Sequence, residues 1–338
     1  MTQINNIKSL LSLNTKLEDK LHVITVMSNP CNFKTRYRLT SEFIKRMEQE
    51  PNIILYVVEL AYNEQEFKVT SASNPKHLQL RGTVPLWHKE NMINIGIRKL
   101  LPKDWKAVAW IDADIKFEGI HWAEDTLKIL NGGKDVVQLF THCVFMDYYE
   151  QISKIYTGFG FQYCNNFIKG RDINYWHPGF AWACTRNAYD KIGGIYERAI
   201  LGAGDNIFCH AFIKKSTESL EKGMSPKYIQ SVKDYQDKFD GLRLGYVPVT
   251  ISHYFHGIHE NRKYRSREEI LIQYQYNPYT YITTNQNGLL IPLDKCPVKM
   301  LIEITKYFSD RNEDDYVVDV KMELVNKLMV IRQYLDSL

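Results

Sequence analysis

Two carboxylates one residue apart, Asp112 and Asp114, follow directly on the apolar run Ala107 to Ile111. Alternate residues of an extended segment point to the same side. Just past a strand end, these two acids can therefore converge on one cation. A hard divalent ion such as Mg2+ or Mn2+ takes oxygen ligands and often shares its shell with substrate phosphates. The competing reading is a plain turn with an Asp cap. Asp205 follows Gly202-Ala203-Gly204, where the glycines allow a tight turn that exposes its carboxylate. The same Asp could instead cap a helix over residues 206–214. His253 and His256 stand beside Gly257, ahead of the basic run Arg262-Lys263-Tyr264-Arg265. Such arginines can clamp an anion and close as a lid, or simply form a solvated loop. In His177-Pro178-Gly179-Phe180-Ala181-Trp182, Gly179 would let a ligand approach the backbone. Trp182 could stack on that ligand or pack in the core.

The elements that hold these residues are legible as patterns. His22 to Met27 and Ile53 to Leu60 are nearly unbroken apolar runs, as expected of parallel strands buried on both faces. His77 to Leu80 and Val136 to Phe140 are shorter strand candidates. Residues 36–49 place Leu39, Phe43 and Met47 at helical spacing, and residues 88–101 do the same with Ile93, Ile97 and Leu101 before Pro102. This alternation predicts an open, mostly parallel α/β sheet with helices on both faces. Ligands of such sheets bind beyond the carboxyl ends of the strands, where Asp112 and Asp114 fall. Later, residues 214–240 read as a polar surface helix and Tyr246 to Ile251 as a strand. From about residue 297 the periodicity is helical, through Met300, Ile304 and Phe308, then Leu324, Leu328 and Ile331. The parse is an N-terminal helical segment (1–20), a catalytic domain (21–265) and a C-terminal helical extension (266–338).

With 338 residues, 44% hydrophobic and 24% charged, the composition is that of a folded globular chain. The net charge of +4 is too balanced to argue for nucleic acid by itself. The 22 Tyr and 15 Phe are many, so some tyrosines are expected at the rim or facing a ligand. The six cysteines form no CxxC pair and read as reduced and mostly buried. No apolar leader or membrane-length run is present, which leads to the expectation of a cytoplasmic protein without a membrane span.

The order of these features resembles the GT-A glycosyltransferases, particularly the family-2-like enzymes, over roughly residues 22–260. The likeness rests on a helix carrying Lys89, Asn94 and Gly96, a strand ending in Asp112-Ala113-Asp114, the Gly179 region followed by Gly193-Gly194, and the loop at Asp205. It implies the GT-A fold and transfer of a sugar from a nucleoside diphosphate sugar, a UDP-sugar as first choice, to an acceptor hydroxyl with inversion. It implies Asp114 as direct ligand of Mn2+ or Mg2+, Asp112 as secondary ligand and ribose contact, and His256 as third ligand with His253 in reserve. Asp205 would be the general base, although many relatives carry Glu-Asp or Asp-Asp where this chain has Asp205-Asn206. Lys89, Asn94 and Gly179 would meet the donor, Arg262 and Arg265 its diphosphate, and Asn29 and Glu59 the base and ribose. Trp182 would carry the acceptor. The segment Trp110 to Ile115, with Tyr307 to Asp314, is also similar to viral glycosyltransferases, some of which modify DNA. A glycan is thus the first expected acceptor and a hydroxymethylated DNA base the second, in the host cytoplasm for a viral protein.

Paired acids and Mg2+ would equally serve a nucleotidyl- or phosphoryl-transfer enzyme, though no Walker loop is present. A non-catalytic nucleotide-sugar-binding module would keep the donor pocket without needing Asp205.

Overall fold

The computed structural model describes residues 17–168, 176–263, 266–315 and 332. The chain opens with β1 (Leu21–Ser28), α1 (Lys34–Glu48), β2 (Ile53–Tyr62), β3 (His77–Gly82), α2 (Lys89–Leu100) and β4 (Ala107–Ile111). It continues with β5 (Ile115–Phe117), α3 (Trp122–Asn131), β6 (Val136–Gln138), β7 (His142–Met146), β8 (Ile152–Gly158), α4 (Phe159–Cys164), β9 (Trp176–His177) and β10 (Ala181–Thr185). Then come α5 (Arg186–Ile192), α6 (Gly204–Phe212), α7 (Pro226–Gln236), β11 (Leu244–Tyr246) and β12 (Thr250–His253). The C-terminal part carries α8 (Glu269–Gln273), the hairpin β13 (Ile282–Thr284) and β14 (Leu290–Pro292), and α9 (Val298–Asp310).

Seven strands form one sheet in the order β11-β6-β10-β4-β1-β2-β3. All its pairings are parallel except those of β10, which runs antiparallel to both β4 and β6. Helices cover both faces, and strand alternation decides which residues meet which helix. Ile24, Val108, Trp110 and Trp182 face one side, with Ile93 and Ile97 of α2 and Phe208 of α6. Val23, Ala109, Ile111 and Ala183 face the other, with Phe43 of α1 and Leu127 of α3. The expected open, mostly parallel α/β architecture is the one observed.

A second sheet, in the order β5-β12-β7-β8-β9, was not foreseen. It accounts for the clearest difference from the sequence reading. The single strand expected over Tyr246 to Ile251 is two strands in two sheets. Tyr246 pairs with Gln138 in the large sheet, and Thr250 pairs with His142 in the small one. Pro248 lies between them and cannot donate to a ladder. The polar helix expected over 214–240 is also shorter. Ser225 accepts the Tyr228 amide with its Oγ and Pro226 occupies the first turn, so α7 starts there.

The C-terminal part shares the main core: Leu271, Tyr276, Met300 and Ile304 belong to the same buried cluster as Trp110 and Trp182. Many tyrosines are buried with bonded hydroxyls rather than at the rim; Tyr189 donates to Asn94 and Tyr276 to the Arg198 carbonyl. The six cysteines are free thiols, with Cys143, Cys184, Cys209 and Cys296 buried. No described helix is long and apolar enough to cross a membrane. The later helical periodicity at Leu324, Leu328 and Ile331 lies outside the described residues.

Candidate active site

The first half of the site, a carboxylate with two imidazoles, follows from strand register. β5 and β12 are antiparallel with Ile115 opposite His253. That pairing sets Asp114 beside the end of β12, where its carbonyl accepts the Tyr254 amide at 2.9 Å. Asp114 Oδ2 then lies 3.0 Å from His256 Nε2 and 3.7 Å from His253 Nε2. The two Nε2 atoms are 3.2 Å apart. Ligand atoms of all three side chains fall within 4.8 Å of one another. Burial opposes ionisation of Asp114, but hydrogen bonds and charge from His253 and His256 outweigh it and hold its carboxyl well below the usual range. Burial pushes His253 down to about 4, against the pull of Asp114. A neutral imidazole is the form that ligates metals.

This set fits a divalent ion. Asp114 Oδ1 and His253 Nδ1 are buried without hydrogen-bond partners. Three donors converging with orphaned polar atoms are better satisfied by a cation than by one another. Two imidazole nitrogens with one carboxylate suit Mn2+ and later first-row ions better than Mg2+, which prefers oxygen.

The second half is built around Lys89 at the start of α2. Its Nζ donates to Asp112 Oδ2 at 2.8 Å and to Asp205 Oδ2 at 3.3 Å. Burial alone would lower the Lys89 ammonium, but Asp112 and Asp205 outweigh it and raise it above its ordinary value. Asp112 is held in place by its own amide, which donates to the Phe180 carbonyl at 2.8 Å. Asp205 lies in the first turn of α6, so the helix start and the site share this residue. Gly179 passes so close that an added Cβ would stand 2.8 Å from Asp205 Oδ2. Glu90 is only 3% exposed, and burial, then Asp205, raises its carboxyl to about 8.

Lys89, Asp112, Asp114, Gly179, Asp205, His253, His256 and Arg262 line one cleft of about 610 Å³. Other residues expected at the site go elsewhere. Trp182 is 1% exposed and packs against Phe208, with Nε1 donating to the Pro178 carbonyl. Its position in β10, central to the large sheet, makes it core and not an acceptor platform. Asn94 ties Ile195 at both backbone atoms and accepts from Tyr189, so its polar atoms serve the fold. Glu59 accepts the amides of Lys68, Val69 and Thr70, and Asn29 exchanges hydrogen bonds with the Phe33 backbone. Neither lines the cleft. Arg265 lies outside the described residues.

Sequence reasoning gave no site role to Arg36, Arg311 or Glu313, which also line the cleft. Arg36 sits on a helix that reads as an ordinary amphipathic one. Arg311 and Glu313 fall in the Tyr307 to Asp314 segment, singled out only for a resemblance and not for any part in the site.

No family model matches the chain, and no curated protein matches it. Solved structures do align with it. A mannosyltransferase from Pyrobaculum calidifontis in complex with GDP-Man and Mn2+ is 14% identical, with TM-score 0.43, over 80% of this chain and 70% of that one. A Drosophila galactosyltransferase mutant in complex with manganese, UDP-Gal and xylobiose is 11% identical, with TM-score 0.35, over 84% of this chain and 99% of that one. The 4-diphosphocytidyl-2C-methyl-D-erythritol synthase from Anaerococcus prevotii is 9% identical, with TM-score 0.31, over 88% and 99%. At these scores the likenesses carry no argument about activity, which must come from the cleft itself.

Proposed function

We propose that this chain is a metal-dependent glycosyltransferase that moves a sugar from a nucleoside diphosphate sugar to an acceptor hydroxyl. One observation carries the reading. The Asp114, His253 and His256 donor set and the Asp205 carboxylate face one cleft, joined by Lys89 between Asp112 and Asp205. Asp114, His253 and His256 would hold a cation, and it would supply Lewis-acid neutralisation of a departing diphosphate. Lys89, Arg36 and Arg262 add positive charge to the lining of the same cleft. Gly179 lets the backbone pass close against the Asp205 carboxylate where both line the cleft. Asp205 takes the proton of the attacking hydroxyl, the arrangement of an inverting transfer. Asp112 holds Lys89 and meets the ribose of the donor, for which a UDP-sugar is the first choice.

A glycan is the favoured acceptor. Two cations in and just after the basic run are engaged within the fold. Lys263 pairs with Asp310 at 3.0 Å, and buried Arg267 donates to the Tyr307 hydroxyl.

Thermal shift against a panel of nucleotide-sugars, with and without Mn2+, tests the class. One donor should stabilise the protein only with Mn2+, and Asp114→Ala should abolish the effect. Asp205→Asn should keep donor binding and lose about 10²–10⁴ in transfer rate, the usual contribution of a positioned base. Release of pyrophosphate instead of nucleoside diphosphate would identify a nucleotidyltransferase and sink the proposal. Binding without turnover, unaffected by Asp205→Asn, would indicate a binding module.

A further inference from the structure

Residues 311–315, which follow α9, pass directly behind the histidine loop. Gly257 makes that approach possible: it holds φ +88°, and a Cβ there would stand 2.8 Å from Glu313 Cα. The far side of the run is pinned by Asp314, whose two carboxylate oxygens accept the Lys34 and Thr35 amides at 2.8 Å each. Between these anchors Glu313 is 2% exposed and turns its carboxylate inward. It accepts Arg36 Nε at 2.8 Å and Arg311 Nε at 2.8 Å, and also bonds Nη2 of each. Its Oε2 also stands 3.8 Å from His256 Nδ1, the ring nitrogen on the opposite side from the one facing Asp114. Burial opposes ionisation of Glu313, but Arg36 and Arg311, with His256, outweigh it and hold its carboxyl well below the usual range.

Resting on the cation-site reading above, we propose that Glu313 is a positioning residue for that site, acting through His256. A metal-bound imidazole is commonly oriented by a carboxylate at its far N–H, which fixes the tautomer and raises the basicity of the ligating nitrogen. With an ion bound, Glu313, whose Oε2 stands 3.8 Å from His256 Nδ1, would favour the proton on that nitrogen and leave the Nε2 lone pair for the ion. Arg262 Nη2 stands near both ring nitrogens, 2.7 Å from Nε2 and 3.2 Å from Nδ1, so the tautomer is set by the carboxylates and not by this guanidinium. The same carboxylate sets Arg36 and Arg311 against the cleft wall, so one buried acid organises the cation site and its cationic surroundings.

The test uses Mn2+ alone, titrated into the full chain without donor, with free ion read by electron paramagnetic resonance. Glu313→Gln, folded by circular dichroism, should weaken Mn2+ binding about tenfold or more. Glu313→Asp should recover part of the loss. Wild-type affinity in folded Glu313→Gln would overturn the proposal, provided Asp114→Ala loses binding. Wild-type affinity in Asp114→Ala would instead overturn the cation site itself. Should Glu313→Gln not fold, the wild-type protein loaded with Zn2+ gives an independent answer. Long-range proton–nitrogen NMR should find His256 protonated at Nδ1 and metal-bound at Nε2. Metal on Nδ1 would reject the role assigned to Glu313.

Discussion

His88 adjoins Lys89 but directs its ring into the fold. Its Nδ1 lies 3.1 Å from the Tyr62 hydroxyl and its Nε2 lies 2.9 Å from the Leu290 carbonyl, which only an Nε2–H can satisfy. The neutral ring is therefore fully bonded, and burial pushes its pKa down to about 4. In the unfolded chain an ordinary His titrates near 6.5. Between these values the unfolded state binds a proton that the folded state refuses, so stability falls as pH falls through that window. From pH 7 to pH 4.5 the loss from this one ring comes to about 2 kcal/mol. Denaturant unfolding at both pH values checks it. His88→Gln should be less stable at pH 7 yet lose about 2 kcal/mol less on acidification. An unchanged acid loss in the variant would mean that the ring is not held neutral. At this scale the sequence singled out acids and histidines that the fold brings to one cleft, because Asp112, Asp114, Asp205 and His256 each stand in a recognisable local context. It could not expose Glu313 or the inward use of Asn94, since both depend on what a distant segment brings to them.

The elements put these side chains in place through close backbone packing, and two glycines show different consequences. Gly96 lies on the face of α2 that meets the sheet, where a Cβ would stand 2.8 Å from Val58 Cγ2 and 3.4 Å from Ile24. Gly96→Ala should therefore push α2 off β1 and β2 and cost about 1–3 kcal/mol, the usual effect of overpacking. Its thermal midpoint should drop while Mn2+ affinity stays, because α2 supplies no cation ligand. Gly179→Ala should do the reverse. Its φ is not in the left-handed region, but the new methyl meets Asp205 Oδ2 at 2.8 Å. Transfer should fall by tenfold or more, as displacement of a reacting group by about 1 Å can cost more than that, and the melting temperature should move little. Equal activity with a lowered midpoint would place Asp205 outside the chemistry. The first strands and helices were legible because strands buried on both faces are continuous apolar runs, and α1 and α2 keep a clean helical period. The small sheet was not. β5 and β12 have three and four residues, too short for a periodic signal, and β8 leaves most of its side chains exposed. Yet their register is what sets His253 beside Asp114. Trp182 was ambiguous for a related reason: its surroundings are fixed by β10 lying between β4 and β6, an arrangement no local pattern shows.

At the level of the whole molecule, the sequence suggests a catalytic domain followed by a helical extension, but the packing joins them. Asn91 on α2 donates to the Gly288 carbonyl and accepts the Leu290 amide, bonding the C-terminal hairpin to the first half of the chain. Trp87 stacks on Phe308 of α9 with ring centroids 6.5 Å apart, and the guanidiniums of Arg267 and Arg311 lie against the same indole. Asp314 caps the start of α1, and Glu313 closes the back of the cation site. Residues of both parts share one buried cluster, so melting of the C-terminal part strips one face of the large sheet, while the cluster on the other face lies wholly within residues 21–251. Scanning calorimetry should then show a single transition whose calorimetric and van't Hoff enthalpies agree. Saturating Mn2+ should raise that one midpoint, since an ion bound only by the folded state stabilises everything coupled to it. A chain cut to residues 21–265 should melt well below the full chain, because it would expose the faces of α2 and Trp87 that α9 and the hairpin cover. Two resolved transitions in the full chain, with only the first shifted by Mn2+, would show that the C-terminal part folds independently and that its contacts with the cleft form late.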